Sequence, residues 1–111
     1  MPTELVLFSD RAPTADTLAR AAADAHPDGS LLEFHDGLVR QVVDAQGRGL
    51  LSVWTSRPVV DRFHVAASAA RAPQEFTLWT DLTIPFGDPT AGRAVAEQLA
   101  ALVGGVVRDR I

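Results

Sequence analysis

Cysteine, lysine, asparagine and tyrosine do not occur among the 111 residues. Without cysteine there is no disulfide framework, no thiol nucleophile and no cysteine-ligated zinc or iron–sulfur site. Without lysine all ten bases are arginine, and isoleucine stands only at 84 and 111. The missing or rare types share AT-rich codons, whereas alanine, arginine, glycine, proline and valine are plentiful. This pattern reads as a GC-rich bacterial genome rather than as special arginine chemistry. Long apolar runs are also missing. Met1-Pro2-Thr3-Glu4 has no basic region, and Leu5 to Phe8 is too short for a signal sequence or a membrane span, so a cytoplasmic protein with no membrane partner is expected. Charge is not blocked either: fourteen acids and ten bases give a net charge of -4 with the signs interspersed. That excludes the clustered basic face on which nucleic-acid backbone binding depends.

The chain has the length of a single domain over 1–111, able to bury roughly two-thirds of its unfolded surface. Glu4 to Ser9 is nearly continuously apolar, as in a strand buried on both faces. "TADTLARAAADAH" from Thr14 predicts a helix with Asp16 in its first turn and His26 at its end, and an apolar stripe of Leu18, Ala21, Ala22 and Ala25. "SLLEFHDGLVRQVVDAQGRGLLSVWT" predicts three strands near 31–35, 38–44 and 50–55, joined by His35-Asp36-Gly37 and by Ala45 to Gly49, where glycine supplies positive φ.

Residues 56–73 are ambiguous. Val59/Val60, Phe63, Ala66/Ala67 and Ala70 recur at helical spacing, with Ser56 as a cap and Pro58 near the first turn, while Phe63, Val65 and Ala67 also alternate as in a strand. A helix is the expectation and a strand the alternative. "EFTLWTDLTI" then alternates as a strand. Asp88 caps a helix with Pro89 at its first position and a stripe of Val95, Leu99 and Leu102, Gly104-Gly105 ends it, and "VVRD" is a last strand. The predicted fold is α+β: a mostly antiparallel sheet of five to six strands in the order β-α-β-β-β-(α)-β-α-β, with two or three helices mainly on one face.

Motifs for chemistry are sparse. His26, His35 and His64 show no i, i+4 ligand pair, so no metal and no cofactor is expected. Five serines coexist with histidine and aspartate, but none stands in a G-x-S-x-G elbow, so no catalytic residue is assigned. "FGDPTAG" has neither the lysine nor the glycine pattern of a phosphate loop, and Asp88 repels an anion there. Ser9, Asp10 and Arg11 follow the first strand, where α/β proteins gather ligands, and form the candidate small-molecule site; the plainer reading is that they satisfy loop amides.

"LLSVWT" and "EFTLWT" share an aliphatic-Trp-Thr ending. If those strands are neighbours, Trp54 and Trp79 project from one face with Ser52, Thr77 and Asp81, and Leu51, Val53, Phe76 and Leu78 form core on the other. The Trp face is either a protein-recognition surface or a layer covered by the 58–70 segment.

The C-terminal third, "LWTDLTIPFGDPTAGRAVAEQLAALVGGVVRD", resembles the ending of small bacterial α/β proteins, including immunity proteins of polymorphic toxin systems. The resemblance implies a protein that works by binding another protein and transfers no catalytic residue. The leading expectation is therefore a non-catalytic module that binds a partner protein, a basic one by charge complementarity, through Trp54, Trp79, Asp81, Thr77 and Ser52. The alternatives are a small-molecule site or enzyme at Ser9 and Asp10, and a homodimer sealed through the same sheet face.

Overall fold

Four consecutive apolar side chains need cover on both sides, and Leu5, Val6, Leu7 and Phe8 are each no more than 1% exposed in a strand flanked by a neighbour on either side, one strand in from the edge of an antiparallel sheet. The computed structural model describes residues 2–71, 73, 75–85 and 87–111, with backbone alone at 62, 63 and 66. In chain order the elements are β1 (Thr3–Ser9), α1 (Ala15–Ala25), β2 (Ser30–Phe34), β3 (Val39–Val43), β4 (Gly49–Trp54), β5 (Arg57–Pro58), α2 (Arg62–Ser68), β6 (Leu78–Ile84), α3 (Thr90–Val103) and β7 (Val106–Asp109). The sheet runs β2-β3-β4-β6-β1-β7 in space, with β5 also beside β6, and every pairing is antiparallel. The α+β architecture read from the sequence is the one formed.

The strand beyond those expected is β5, and its origin is a bulge. Val53 pairs with Leu82 and Arg57 with Trp79, so four steps along β4 and β5 are matched by three along β6. The extra residue lets the chain keep pairing with β6 after Trp54, and it brings Arg57 onto the same face as Trp79.

On the first sheet face, Leu5, Leu7, Leu51, Val53, Leu82 and Ile84 meet Leu18, Ala21 and Ala22 of α1 and Val95, Ala96, Leu99 and Val103 of α3. Small side chains let α1 and α3 lie close. The Thr14 and Thr17 side chains form a reciprocal capping box at the start of α1. Asp88 accepts from the Thr90 amide at 3.0 Å, and α3 runs from Thr90 with Pro89 at the cap position, one residue later than expected. Gly104 ends α3 in the left-handed region at φ 68°, and the Gly105 amide reaches back to the Ala100 carbonyl.

Among the described residues, α2 is the one helix packed on the second face. The segment from 56 onward is therefore helical only in part: Pro58 is in β5, α2 starts at Arg62, and Asp61 rather than Ser56 caps it by accepting from the His64 amide at 3.2 Å. The expected stripe is also displaced. Val65 and Ala69 are buried against the sheet, whereas Val60 is 90% exposed; the side chains of Phe63 and Ala66 lie outside the described residues. Leu51 and Val53 are core as expected, but Phe76 and Leu78 are not. Phe76 precedes β6 and packs half-buried on the second face beside Val6, Phe8 and Trp79, and Leu78 at the strand end is only partly covered.

Gly92 fixes how closely α3 approaches the sheet, since a Cβ there would lie 2.2 Å from the Leu50 carbonyl oxygen. Alanine in a helix interior ordinarily gains about 1 kcal/mol over glycine. Here Gly92→Ala is expected to lower stability, by roughly 1–3 kcal/mol in urea unfolding, because the methyl group meets backbone that must move.

Candidate functional site

Alternation along β6 sends Leu82 and Ile84 into the main core and Trp79, Asp81 and Thr83 to the second face, in answer to the mixed character of that strand. Trp79 is only 2% exposed. Its ring meets Phe8 edge-on with centroids 5.4 Å apart, and His64 of α2 stacks on it at 6.3 Å. The indole N–H donates to Asp81 Oδ1 at 2.8 Å, which satisfies the one polar atom of an otherwise buried ring. Asp81 in turn pairs with Arg110 at 3.1 Å and with Arg57 at 3.6 Å, and both guanidinium groups lie over the Trp79 ring, 5.7 and 5.3 Å from its centroid. Trp79 is thus the centre of a closed cluster.

Trp54 shares that face and is 45% exposed. It stands opposite Val39, which stands opposite Phe34, so one row crosses three strands with Phe34 at 44% exposure. Leu32 lies two residues along β2, and Leu38 sits in the adjoining turn, more than half exposed. These residues form one apolar patch over β2, β3 and β4, the half of the sheet against which no described side chain of α2 packs. Ser52 is half-buried on the same face, opposite Gln41 and Thr83. Beside Trp54 a notch of about 170 Å³ is lined by Glu4, Asp81, Thr83 and Arg110.

The five candidate recognition residues therefore divide. Trp54 and Ser52 belong to the open half of the face, and Asp81 lies at its boundary. Trp79 is covered, and Thr77 is drawn aside, giving its amide at 3.0 Å and its hydroxyl at 3.1 Å to Asp10. Leu32, Phe34 and Leu38 were missed by the sequence reading, although the alternation in "SLLEF" puts Leu32 and Phe34 on one side.

The Ser9 group is bound up in structure. Ser9 is fully buried and donates to the Arg11 carbonyl at 2.7 Å, Asp10 holds Thr77, and Arg11 donates to the Leu102 carbonyl at 3.2 Å. A roomier cleft lies elsewhere, about 630 Å³ between the end of α1, the β3–β4 turn and the start of α3, with His26, Asp44, Arg48 and Asp88 among its walls. Its carboxylates are already engaged. Asp44 accepts from the Gln46 and Arg48 amides and the Arg48 guanidinium, and the Arg48 amide does most to hold its carboxyl below the ordinary value. Asp88 is likewise lowered by the Thr90 hydroxyl and amide. Among the described residues no three histidine or acidic side chains converge as metal ligands, and no helix is long and apolar enough to cross a membrane. Ser56 shares its hydroxyl bond with Thr80 and is not paired with a histidine.

No protein-family model, no curated protein and no solved structure matches the chain.

The division of the face sets an expected contrast between the two tryptophans. Trp79→Ala should cost about 3–5 kcal/mol, and Trp54→Ala no more than about 1 kcal/mol, in chemical unfolding. Asp44 sets an expected acid limb. Because its folded carboxyl titrates below the ordinary 3.8, its stabilisation is complete above that value and is lost as pH falls through the lower folded value. Thermal melts between neutral pH and pH 2 should therefore show a shallower acid loss in Asp44→Asn than in the parent.

Proposed function

We propose that the chain is a non-catalytic protein-binding module whose docking surface is the open half of the second sheet face. The observation that carries this reading is that Phe34 and Trp54, on either side of the buried Val39, and Leu32 beside them are apolar side chains left bare while the same sheet face is closed around Trp79. An exposed tryptophan amid aliphatic side chains, with polar groups at its margin, has the make-up of an interaction hot spot. The partner that suits it is basic. Glu4 makes no ion pair among the described residues and lines the notch beside Trp54, so a guanidinium or ammonium group entering there would meet the Glu4 carboxylate and an indole at once, whereas Asp81 is already matched by Arg57 and Arg110. The net charge of -4 favours the same partner at longer range. Neutralising a toxin, as the resemblance to immunity proteins implies, or assisting another protein as an accessory factor are both forms of this function.

A small-molecule reading draws support from the 630 Å³ cleft rather than from Ser9, Asp10 and Arg11, whose polar atoms serve the loops around them. A thermal-shift screen against metabolites addresses it, since a ligand bound by the native state alone raises the melting temperature.

The binding reading is checked with a partner captured from the native host, identified, purified and titrated. Trp54→Ala and Glu4→Gln are each expected to weaken binding about tenfold or more with the melting temperature kept. Parent-like affinity in Trp54→Ala would count against the proposed surface.

A further inference from the structure

The two outer edges of the sheet are finished differently. Beyond β7, Ala70 donates its amide to the Asp109 carbonyl at 2.8 Å and Ile111 donates to the Ser68 carbonyl at 2.8 Å. Ala69 also forms a bridge with Arg110, and Arg108 Nε donates to the Arg71 carbonyl at 3.2 Å. The end of α2 and the turn after it thus cover that edge.

β2 has no such cover. Among the described residues, none from Ser30 to Phe34 makes a backbone hydrogen bond beyond β3. Every second residue of an antiparallel edge strand turns its N–H and C=O outward, so this edge presents a row of unmet donors and acceptors. Proteins blunt such edges with proline, lysine, bulges or inward charges. Ser30-Leu31-Leu32-Glu33-Phe34 contains no proline or lysine, pairs with β3 without a register shift, and exposes Leu32 and Phe34.

We propose that β2 pairs antiparallel with β2 of a second copy of this chain across a two-fold axis, joining two sheets into one. The strand's own sequence fits this occupant. A two-fold axis normal to the sheet sets like faces together, and all five residues find an opposite number only when Leu32 faces the partner's Leu32. In that register Phe34 faces the partner's Ser30 and Glu33 faces the partner's Leu31. The alternative centred on Glu33 would oppose two carboxylates, a destabilising pair. With Leu32 at the centre no like charges meet, and Glu33 keeps its 3.1 Å ion pair with Arg40. The helices α1 and α3 of both copies then lie on one side. The two Trp54 patches lie together on the other, a continuous surface twice the size. The pairing does not depend on the docking surface proposed above.

Sedimentation equilibrium at physiological salt, up to about 100 µM protein, tests it. The parent chain is expected to give a dimer mass. Leu32→Lys and Leu32→Glu should each be monomeric, since like charges then meet at the axis, and because Leu32 is 43% exposed both changes suit the folded monomer. An equimolar mixture of the two should recover the dimer, and Trp54→Ala should remain dimeric. A parent chain that stays monomeric, Leu32 variants that stay dimeric, or a mixture that does not dimerise would overturn the proposal. Loss of the dimer in Trp54→Ala would overturn it too, by showing that the copies meet through the sheet face instead. None of these readings bears on affinity for a basic partner, so the two proposals stand or fall separately.

Discussion

The bond from the Trp79 indole to Asp81 organises the second face of the sheet. It satisfies the ring's one polar atom, which allows the rest of the ring to be buried against Phe8 and under His64. It also fixes Asp81, whose charge gathers Arg57 from β5 and Arg110 from the end of β7. Elements far apart in sequence are thereby tied to one side chain. α2 packs where that cluster gives it a floor, with Val65 and Ala69 against Val6, Phe8 and Trp79. A hydrogen bond to a charged group in a partly shielded place is worth more than a surface ion pair, and this one carries two guanidinium groups with it.

The consequence is an uneven cover. α1 and α3 pack along the first face, while the described side chains of the seven-residue α2, Val65 and Ala69, pack around Trp79. β2, β3 and β4 keep one bare side bearing Leu32, Phe34 and Trp54, and β2 keeps one bare edge. Bare face and bare edge meet at the same strand. A protein that covers its other edge with a dedicated turn, and its other half-face with an aromatic cluster, has left these surfaces open against the ordinary tendency to hide them. The recognition proposed at the face and the pairing proposed at the edge both rest on that single asymmetry.

Much of this was legible in the residues. The apolar run of β1, the alanine stripe of α1, the glycine-bearing turns and the left-handed end of α3 each follow from local chemistry, and each is in its expected place. The shared face of Trp54 and Trp79 followed from period-two alternation alone. What local chemistry could not supply was the division of that face. It depends on a one-residue bulge after Trp54 and on two arginines, 57 and 110, that meet only in the folded chain. The stripe expected over 59–70 failed for a related reason: Pro58 is engaged in β5, so the helix starts late and turns Val65 and Ala69 inward instead of Val60. Phe76 was misplaced because β6 begins two residues after it, outside the alternation assumed for it.

One tryptophan is sealed and the other open, and fluorescence separates them directly. Acrylamide quenching of two single-tryptophan proteins, Trp54→Phe and Trp79→Phe, reports each indole alone. Trp79, left in the first, should emit towards the blue and resist quenching; Trp54, left in the second, should emit towards the red and be quenched several-fold more efficiently. Equal quenching of the two would contradict the division of the sheet face on which the proposed function depends.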